Sequence, residues 1–313
     1  MSSLRVVFFG TPAFAAPSLA AVLDAGHEVP FVLTQPDRPV GRHAEPKPSP
    51  VAALATARGI PVYRPEKVRG NPELVERLRA ARPDVLAVVA YGRILPKEIL
   101  EVPRVASVNV HASLLPRHRG ASPVQAAILA GDRETGVATM KMEEALDAGP
   151  LYLERRAAIG ETETAGELSA RLAELGGGLL VETLRGLAAG TLTARPQEGE
   201  PTFTRPIRRE DGEADWAQTA EDLARRLRAF TPWPGLYTFL GGERVKILEA
   251  SPSPGPSDEP PGAFALAQGR LVAAAGSGTS LAIERLQRAG RRPVTAAEFA
   301  RAVALPGRFG PSR

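Results

Sequence analysis

Apolar runs and amphipathic runs take turns along the first half of the chain. RVVFFG (5–10) is a short apolar stretch of β character, and AFAAPSLAAVLDAG (13–26) has helical spacing and stops at a glycine. HEVPFVLT (27–34) reads as a second strand, and PSPVAALATARG (48–59) as a helix with Ser49 at its N-cap. NPELVERLRAARP (71–83) is amphipathic, with Leu74, Leu78 and Ala81 on one face. DVLAVVAYG (84–92) is apolar throughout, as a strand covered on both faces should be, and RVASVNVH (104–111) is another strand. GVATMKM and PLYLERRAAI are two further strand-like runs on either side of a loop at 143–151. This alternation predicts a parallel, doubly wound, Rossmann-like α/β sheet. In such sheets ligands sit beyond the carboxyl ends of the strands.

A long helix is expected from about Thr164 to Leu187, loosened at Gly176–Gly178. The polar, proline- and glycine-broken stretch 188–206 then reads as a linker. Beyond it the texture changes. One helix, 219–230, precedes short β-like runs near 236–240, 243–249, 263–267, 270–274 and 279–286, with a low-complexity hairpin connection at 251–262. Short strands joined by turns predict a small barrel or sandwich. The expected division is 1–189 for the α/β domain, 190–208 for the linker and 209–313 for the β domain.

With 313 residues, 43% of them hydrophobic, the chain is long enough for two domains. It has no cysteine, which removes thiolate chemistry and disulfides, and no apolar run of membrane-spanning length. The N-terminus enters a strand-like run without the pattern of a secretory leader, so a soluble cytoplasmic protein is the expectation. The net charge of +4 is unevenly placed. Lys+Arg and Asp+Glu balance at 23 each through Thr204, whereas from Arg205 onward 16 bases face 12 acids. From Arg285 to the end there are seven arginines against Glu298 alone, which is either a solvated basic surface or a footprint for a polyanion.

Candidate chemistry gathers in NVHASLLPRHRG (109–120). Asn109 and His111 lie two apart at a predicted strand end, so both leave the same face of the pleat. A lone histidine is more often structural. An amide beside an imidazole, however, can hold a developing oxyanion and move a proton. Asp147, in the loop EEALDAGPL (143–151), is a turn-capping residue or a carboxylate partner that fixes the tautomer of His111. FFGTP (8–12) supplies only Gly10 and is no dinucleotide fingerprint. The loop 34–50 is long for a strand-to-helix connection, which usually takes about two to six residues. It carries Arg42 and Lys47, so it is either a surface loop or an arm toward a partner.

NVHASLLPRHRGASP together with LDAGP resembles the formyltransferase family that uses 10-formyltetrahydrofolate. FFGTPAFAAPSL, TQPDRPVGR, AYGRILP and RAFTPWPG are similar to those of its members that act on methionyl-tRNA, and the match spans nearly the whole chain. The resemblance implies a Rossmann-like catalytic domain followed by an OB-like barrel that helps to hold tRNA. It implies Asn109, His111 and Asp147 as catalytic residues, and Ser113, Leu114, Leu115 and Pro116 as a wall of the folate site. Arg117 and Arg119 become anchors for anionic groups. The 34–50 loop would meet the acceptor arm of initiator Met-tRNA through Arg42 and Lys47. After Arg42 this chain reads His43–Ala44–Glu45 where the family pattern leads one to expect a glycine and two lysines, so the loop is less basic than the pattern.

The expected reaction is formyl transfer from 10-formyltetrahydrofolate to the α-amino group of methionine on that tRNA, by a monomer without a metal. The alternatives are a formyltransferase acting on a small amine, such as glycinamide ribonucleotide or an amino-sugar nucleotide, and a non-catalytic RNA-binding protein.

Overall fold

The computed structural model describes residues 3–39 and 46–310, which fall into two compact units. The first unit comprises Met1–Pro123, Glu134–Ala158 and Leu168–Arg205, and the second Val124–Arg133, Ile159–Glu167 and Pro206–Arg313.

In the first unit the chain runs β1 (Val6–Gly10), α1 (Ala16–Asp24), β2 (Val32–Leu33), and a short pair, β3 (Arg38–Pro39) and β4 (Pro46–Lys47). It continues as α2 (Pro50–Ala57), β5 (Val62–Tyr63), α3 (Pro72–Ala81), β6 (Val85–Val89), α4 (Lys97–Leu100), β7 (Ala106–His111) and β8 (Arg119–Gly120). Then come α5 (Pro123–Leu129), β9 (Glu134–Lys141), β10 (Leu151–Ala158), α6 (Ala165–Ala189) and β11 (Phe203–Thr204); α5 lies in the second unit from Val124 onward, and α6 begins in the second unit and enters the first at Leu168.

The main sheet has seven strands in the order β10-β9-β7-β6-β1-β2-β5. The strands β5, β2, β1, β6 and β7 are mutually parallel. The sheet is therefore Rossmann-like, but one edge departs from the all-parallel expectation, because β9 runs antiparallel to β7 and β10 antiparallel to β9. Only a short loop joins those two strands, and that length permits a hairpin but no parallel crossover. Every residue of β1 and β6 is buried, which is why both read as unbroken apolar runs. The chain steps outward from β1 to β2 and β5, then returns to the other flank of β1 as β6. The switch point thus lies between the carboxyl ends of β1 and β6.

Two expected elements change. The second strand shrinks to Val32–Leu33, since Pro30 has no N–H for the ladder. Helix α6 runs unbroken through its glycines. A Cβ at Gly176 would stand 3.0 Å from Val110 Cγ1 and one at Gly177 3.0 Å from the Pro17 carbonyl oxygen, so these glycines let the helix close onto β7 and α1. The stretch expected as a linker lies largely within the first unit: Arg195 bridges Leu151, and β11 pairs in parallel with β8.

The second unit holds α7 (Ala220–Ala229), capped by Thr219, and β12 (Leu236–Leu240), β13 (Glu243–Ser253), β14 (Ala263–Ala267), β15 (Arg270–Ala274) and β16 (Ser280–Arg288). β17 (Val294–Thr295), α8 (Ala296–Ala300) and β18 (Gly307–Arg308) complete it. Its antiparallel sheet has the order β12-β13-β16-β15-β14-β18. Register shifts between Ile247 and Ala250 curl β13, and a bridge from Phe239 to Gly310 brings the sheet's two ends together as a small curled half-barrel. Inside, Trp216, Leu223, Ile247, Phe264, Leu281 and Phe309 share one core. The strand β13 extends to Ser253, which shortens the expected 251–262 connection.

Candidate active site at the carboxyl end of the main sheet

β7 delivers Asn109 and His111 at its carboxyl end, flanked by β6 and β9: Asn109 is level with Val88 and Met140, and His111 with Ala138. Alternation along the strand sends both side chains to one face, as the sequence predicts. The His111 side chain is almost fully buried. Its Nε2 stands 3.0 Å from the carbonyl oxygen of His118. A carbonyl only accepts, so Nε2 carries the hydrogen, and Nδ1 is the nitrogen left for proton exchange. That carbonyl is presented by a sharp turn, with His118 in the left-handed region at φ 58°.

Asp147 faces the other nitrogen. Its Oδ2 lies 3.7 Å from His111 Nδ1 and accepts the backbone N–H of Gly120 at 2.8 Å. Both side chains are largely desolvated, at 8% and 11% exposure, which strengthens any charge interaction between them. Gly120 sits at φ 108°, and a Cβ there would approach the Thr204 carbonyl oxygen to 2.3 Å. Only glycine allows that backbone to reach the carboxylate. The side-chain amide of Asn109, half-buried, makes no hydrogen bond among the described residues and is thereby available to a ligand.

The remaining expected residues distribute as follows. The Ser113 hydroxyl is buried and donates to the Arg117 carbonyl at 2.6 Å, so it shapes the loop. Leu114 is half-buried, and Leu115 packs in a small cluster with Ala138, Met140 and Leu151. Pro116 is buried, and its carbonyl accepts the Thr202 N–H at 3.3 Å. Arg117 is exposed, whereas Arg119 directs Nε and Nη2 at Gln197 Oε1, at 3.1 and 2.6 Å. Lys47 is exposed at the end of the β3–β4 pair. Arg42 lies outside the described residues. Gly10 serves packing, because a Cβ there would meet Ala15 Cβ at 2.8 Å and the Val89 carbonyl oxygen at 3.0 Å.

Several groups at this end of the sheet carry no local sequence signal. Gln197 Nε2 donates to the carbonyls of Asp147 and Gly149, each at 2.8 Å. Thr202 Oγ1 accepts the His118 N–H at 2.8 Å, and the Thr204 hydroxyl donates to the Arg119 carbonyl at 3.1 Å. At the switch point, the Gln35 amide donates to the Tyr91 carbonyl at 2.8 Å, tying the strand ends of β2 and β6. Among the described residues no three His, Asp or Glu side chains converge as metal ligands, and no helix is long and apolar enough to cross a membrane.

Comparison with known proteins bears on what this arrangement does. The profile of the formyl transferase family matches residues 4–184, and that of the formyl transferase C-terminal domain matches residues 206–304. A methionyl-tRNA formyltransferase from Methylococcus capsulatus is 47% identical over 306 residues, covering 97% of this chain and 99% of the relative. One from Thermus thermophilus is 47% identical over 299 residues, covering 95% and 96%. Among solved structures, an N-formyltransferase from Helicobacter canadensis in complex with folinic acid and dTDP-3-aminofucose superposes with a TM-score of 0.65 at 17% identity, covering 92% of this chain and 100% of that one. HypX from Aquifex aeolicus with tetrahydrofolic acid gives 0.63 at 17% identity, covering 95% of this chain and 47% of that one. At such identities these two speak for the fold alone.

Proposed function

The chain belongs to the formyl transferase family, and from that premise we propose that it moves a formyl group from 10-formyltetrahydrofolate to the α-amino group of methionine on initiator tRNA. The observation that carries the assignment to this site is the approach of Asp147 to 3.7 Å from His111, with the Asn109 amide free on the same strand.

The chemistry follows from the donors and acceptors present. A free α-amino group has a pKa of about 7.7–8.0, lower when the neighbouring carboxyl is esterified, so a neutral nucleophile exists near pH 7. It attacks the formyl carbon, and negative charge develops on the formyl oxygen. The Asn109 amide donates to that oxygen; losing one such donor costs about 3–4 kcal/mol of transition-state stabilisation. The nucleophile becomes an ammonium and must lose a proton before the tetrahedral intermediate collapses. Asp147 accepts it, directly or through a water. That proton passes from Asp147 to His111 Nδ1 and from there to the departing N10 as the bond from the formyl carbon to N10 breaks, while the Nε2–H of His111 stays on the His118 carbonyl and holds the ring. No step calls for a metal.

Ser113–Pro116 wall the folate, and Leu114 offers it an apolar surface. Arg42 and Lys47 meet phosphates of the acceptor arm, and the arginine-rich second unit adds charge toward the RNA. The protein acts as a cytoplasmic monomer. The small-amine reading has no use for the long 34–50 arm.

The test is a formylation assay comparing charged initiator tRNA with glycinamide ribonucleotide. Formylation of the tRNA is expected, and kcat should fall by about 10² to 10⁴ in Asn109→Ala and His111→Ala with tRNA binding retained. Turnover of the ribonucleotide alone, or full activity in His111→Ala, would defeat the proposal.

A further inference from the structure

We propose that Gln197, in the stretch that reads as a linker, is a positioning residue for formyl transfer and acts by holding Asp147 against His111. The inference rests on the formyl-transfer reading above and names a residue outside the Asn109–His111–Asp147 set.

Asp147 has φ 50°, a left-handed backbone that a side chain with a Cβ disfavours. Something must hold the turn there. Both N–H groups of the Gln197 amide do so, one on the Asp147 carbonyl and one on the Gly149 carbonyl, at 2.8 Å each. The amide oxygen accepts two N–H groups of Arg119, at 3.1 and 2.6 Å. Arg119 directly precedes Gly120, whose N–H holds the Asp147 carboxylate at 2.8 Å. A closed ring results: Gln197 fixes the backbone of Asp147 from one side and, through Arg119, the donor to its carboxylate from the other. Every polar hydrogen and the oxygen of the amide are used, which no other side chain of this size can reproduce. A carboxylate could keep Arg119 but would set an acceptor against two carbonyls. The gap from Asp147 Oδ2 to His111 Nδ1 is 3.7 Å, so a small shift of the turn decides whether the two groups can share a proton.

The experiment measures formylation by the full chain, with Met-tRNA and 10-formyltetrahydrofolate, for the wild type, Gln197→Leu, Gln197→Glu and Asp147→Asn, and for Gln197→Leu combined with Asp147→Asn. Displacing a catalytic group by about 1 Å costs on the order of 10²-fold. For Gln197→Leu, kcat should accordingly drop by about 10- to 100-fold, with both KM values within about threefold of wild type. Gln197→Glu, which retains the Arg119 contact and the side-chain shape, should be as impaired. In the Asp147→Asn background the Leu change should cost less than about threefold, because its effect passes through Asp147. A wild type that formylates alongside a fully active Gln197→Leu overturns the positioning role and leaves the enzyme assignment standing. Equal losses in both backgrounds also overturn it, since the effect would then bypass Asp147. A wild type with no formylation at all would instead overturn the functional reading itself.

Discussion

A buried imidazole behaves according to what its two nitrogens meet, and the first unit contains two contrasting cases. His111 has a carbonyl at one nitrogen and a carboxylate near the other. His27 accepts the Leu4 N–H on Nδ1 at 3.2 Å, while its Nε2 is buried without a hydrogen-bond partner among the described residues. Burial, and then the nearby Arg185 charge, hold the His27 pKa below its ordinary value. The unfolded chain therefore binds the proton more readily, at about pH 6.5, than the folded one does. Stability tied to neutral His27 is fully present above that pH and is lost as pH falls toward the lowered folded value. Urea midpoints taken at pH 7.5 and 5.5 should fall for wild type and fall less for His27→Gln; equal slopes would contradict this. Of the site, the Asn109–His111 pair was legible because strand alternation alone puts i and i+2 on one face. The partners that set the His111 tautomer and the Asp147 turn were not, since Gln197 and Thr202 reach them from 50 and 84 residues away in sequence.

Elements declare themselves locally and neighbours do not. The strands of the second unit lie close to where turn residues and apolar runs place them, and Ser49 caps α2 as expected, accepting the Ala52 N–H at 3.2 Å. What escapes is non-local or too short: the direction of β9, antiparallel to both β7 and β10, the two-residue β5, and α5. The glycines of α6 show why propensity alone misleads. Propensity predicts a loosened helix there, yet Gly176 and Gly177 are contact positions, whereas a Cβ at Gly178 would meet nothing within 4 Å. Gly178→Ala should therefore stabilise the protein by about 1 kcal/mol, the ordinary gain of alanine over glycine in a helix. Gly177→Ala should gain nothing, because its Cβ would press on the Pro17 carbonyl. Paired thermal melts check this, and a Gly177→Ala gain equal to that of Gly178→Ala would refute the packing argument.

Over the whole molecule fewer of the tail's arginines are unpaired than their number implies. Arg285, Arg288 and Arg292 pair with Glu249, Glu243 and Glu298, while Arg291 and Arg301 form no ion pair among the described residues. The charge available to an RNA is thus concentrated in a few side chains. Because phosphate contacts release counterions, KM for Met-tRNA should rise at least about tenfold between 50 and 200 mM salt. KM for 10-formyltetrahydrofolate should change by less than about twofold, a small ligand displacing few ions. A tRNA KM indifferent to salt would show that the acceptor is not held by its backbone.

The distribution of the largest aromatic side chains has an optical consequence. Both tryptophans of the chain belong to the second unit: Trp216 is stacked on Phe309 at 5.4 Å inside the half-barrel, and Trp233 is 57% exposed. Indole emission excited at the red edge consequently comes from that unit alone. Its blue component, from Trp216, should resist acrylamide until the barrel opens, while the red component from Trp233 is quenched at once. The proposed formyl-transfer site has no indole in its own unit, so a chemist following it by fluorescence would have to install the lamp there.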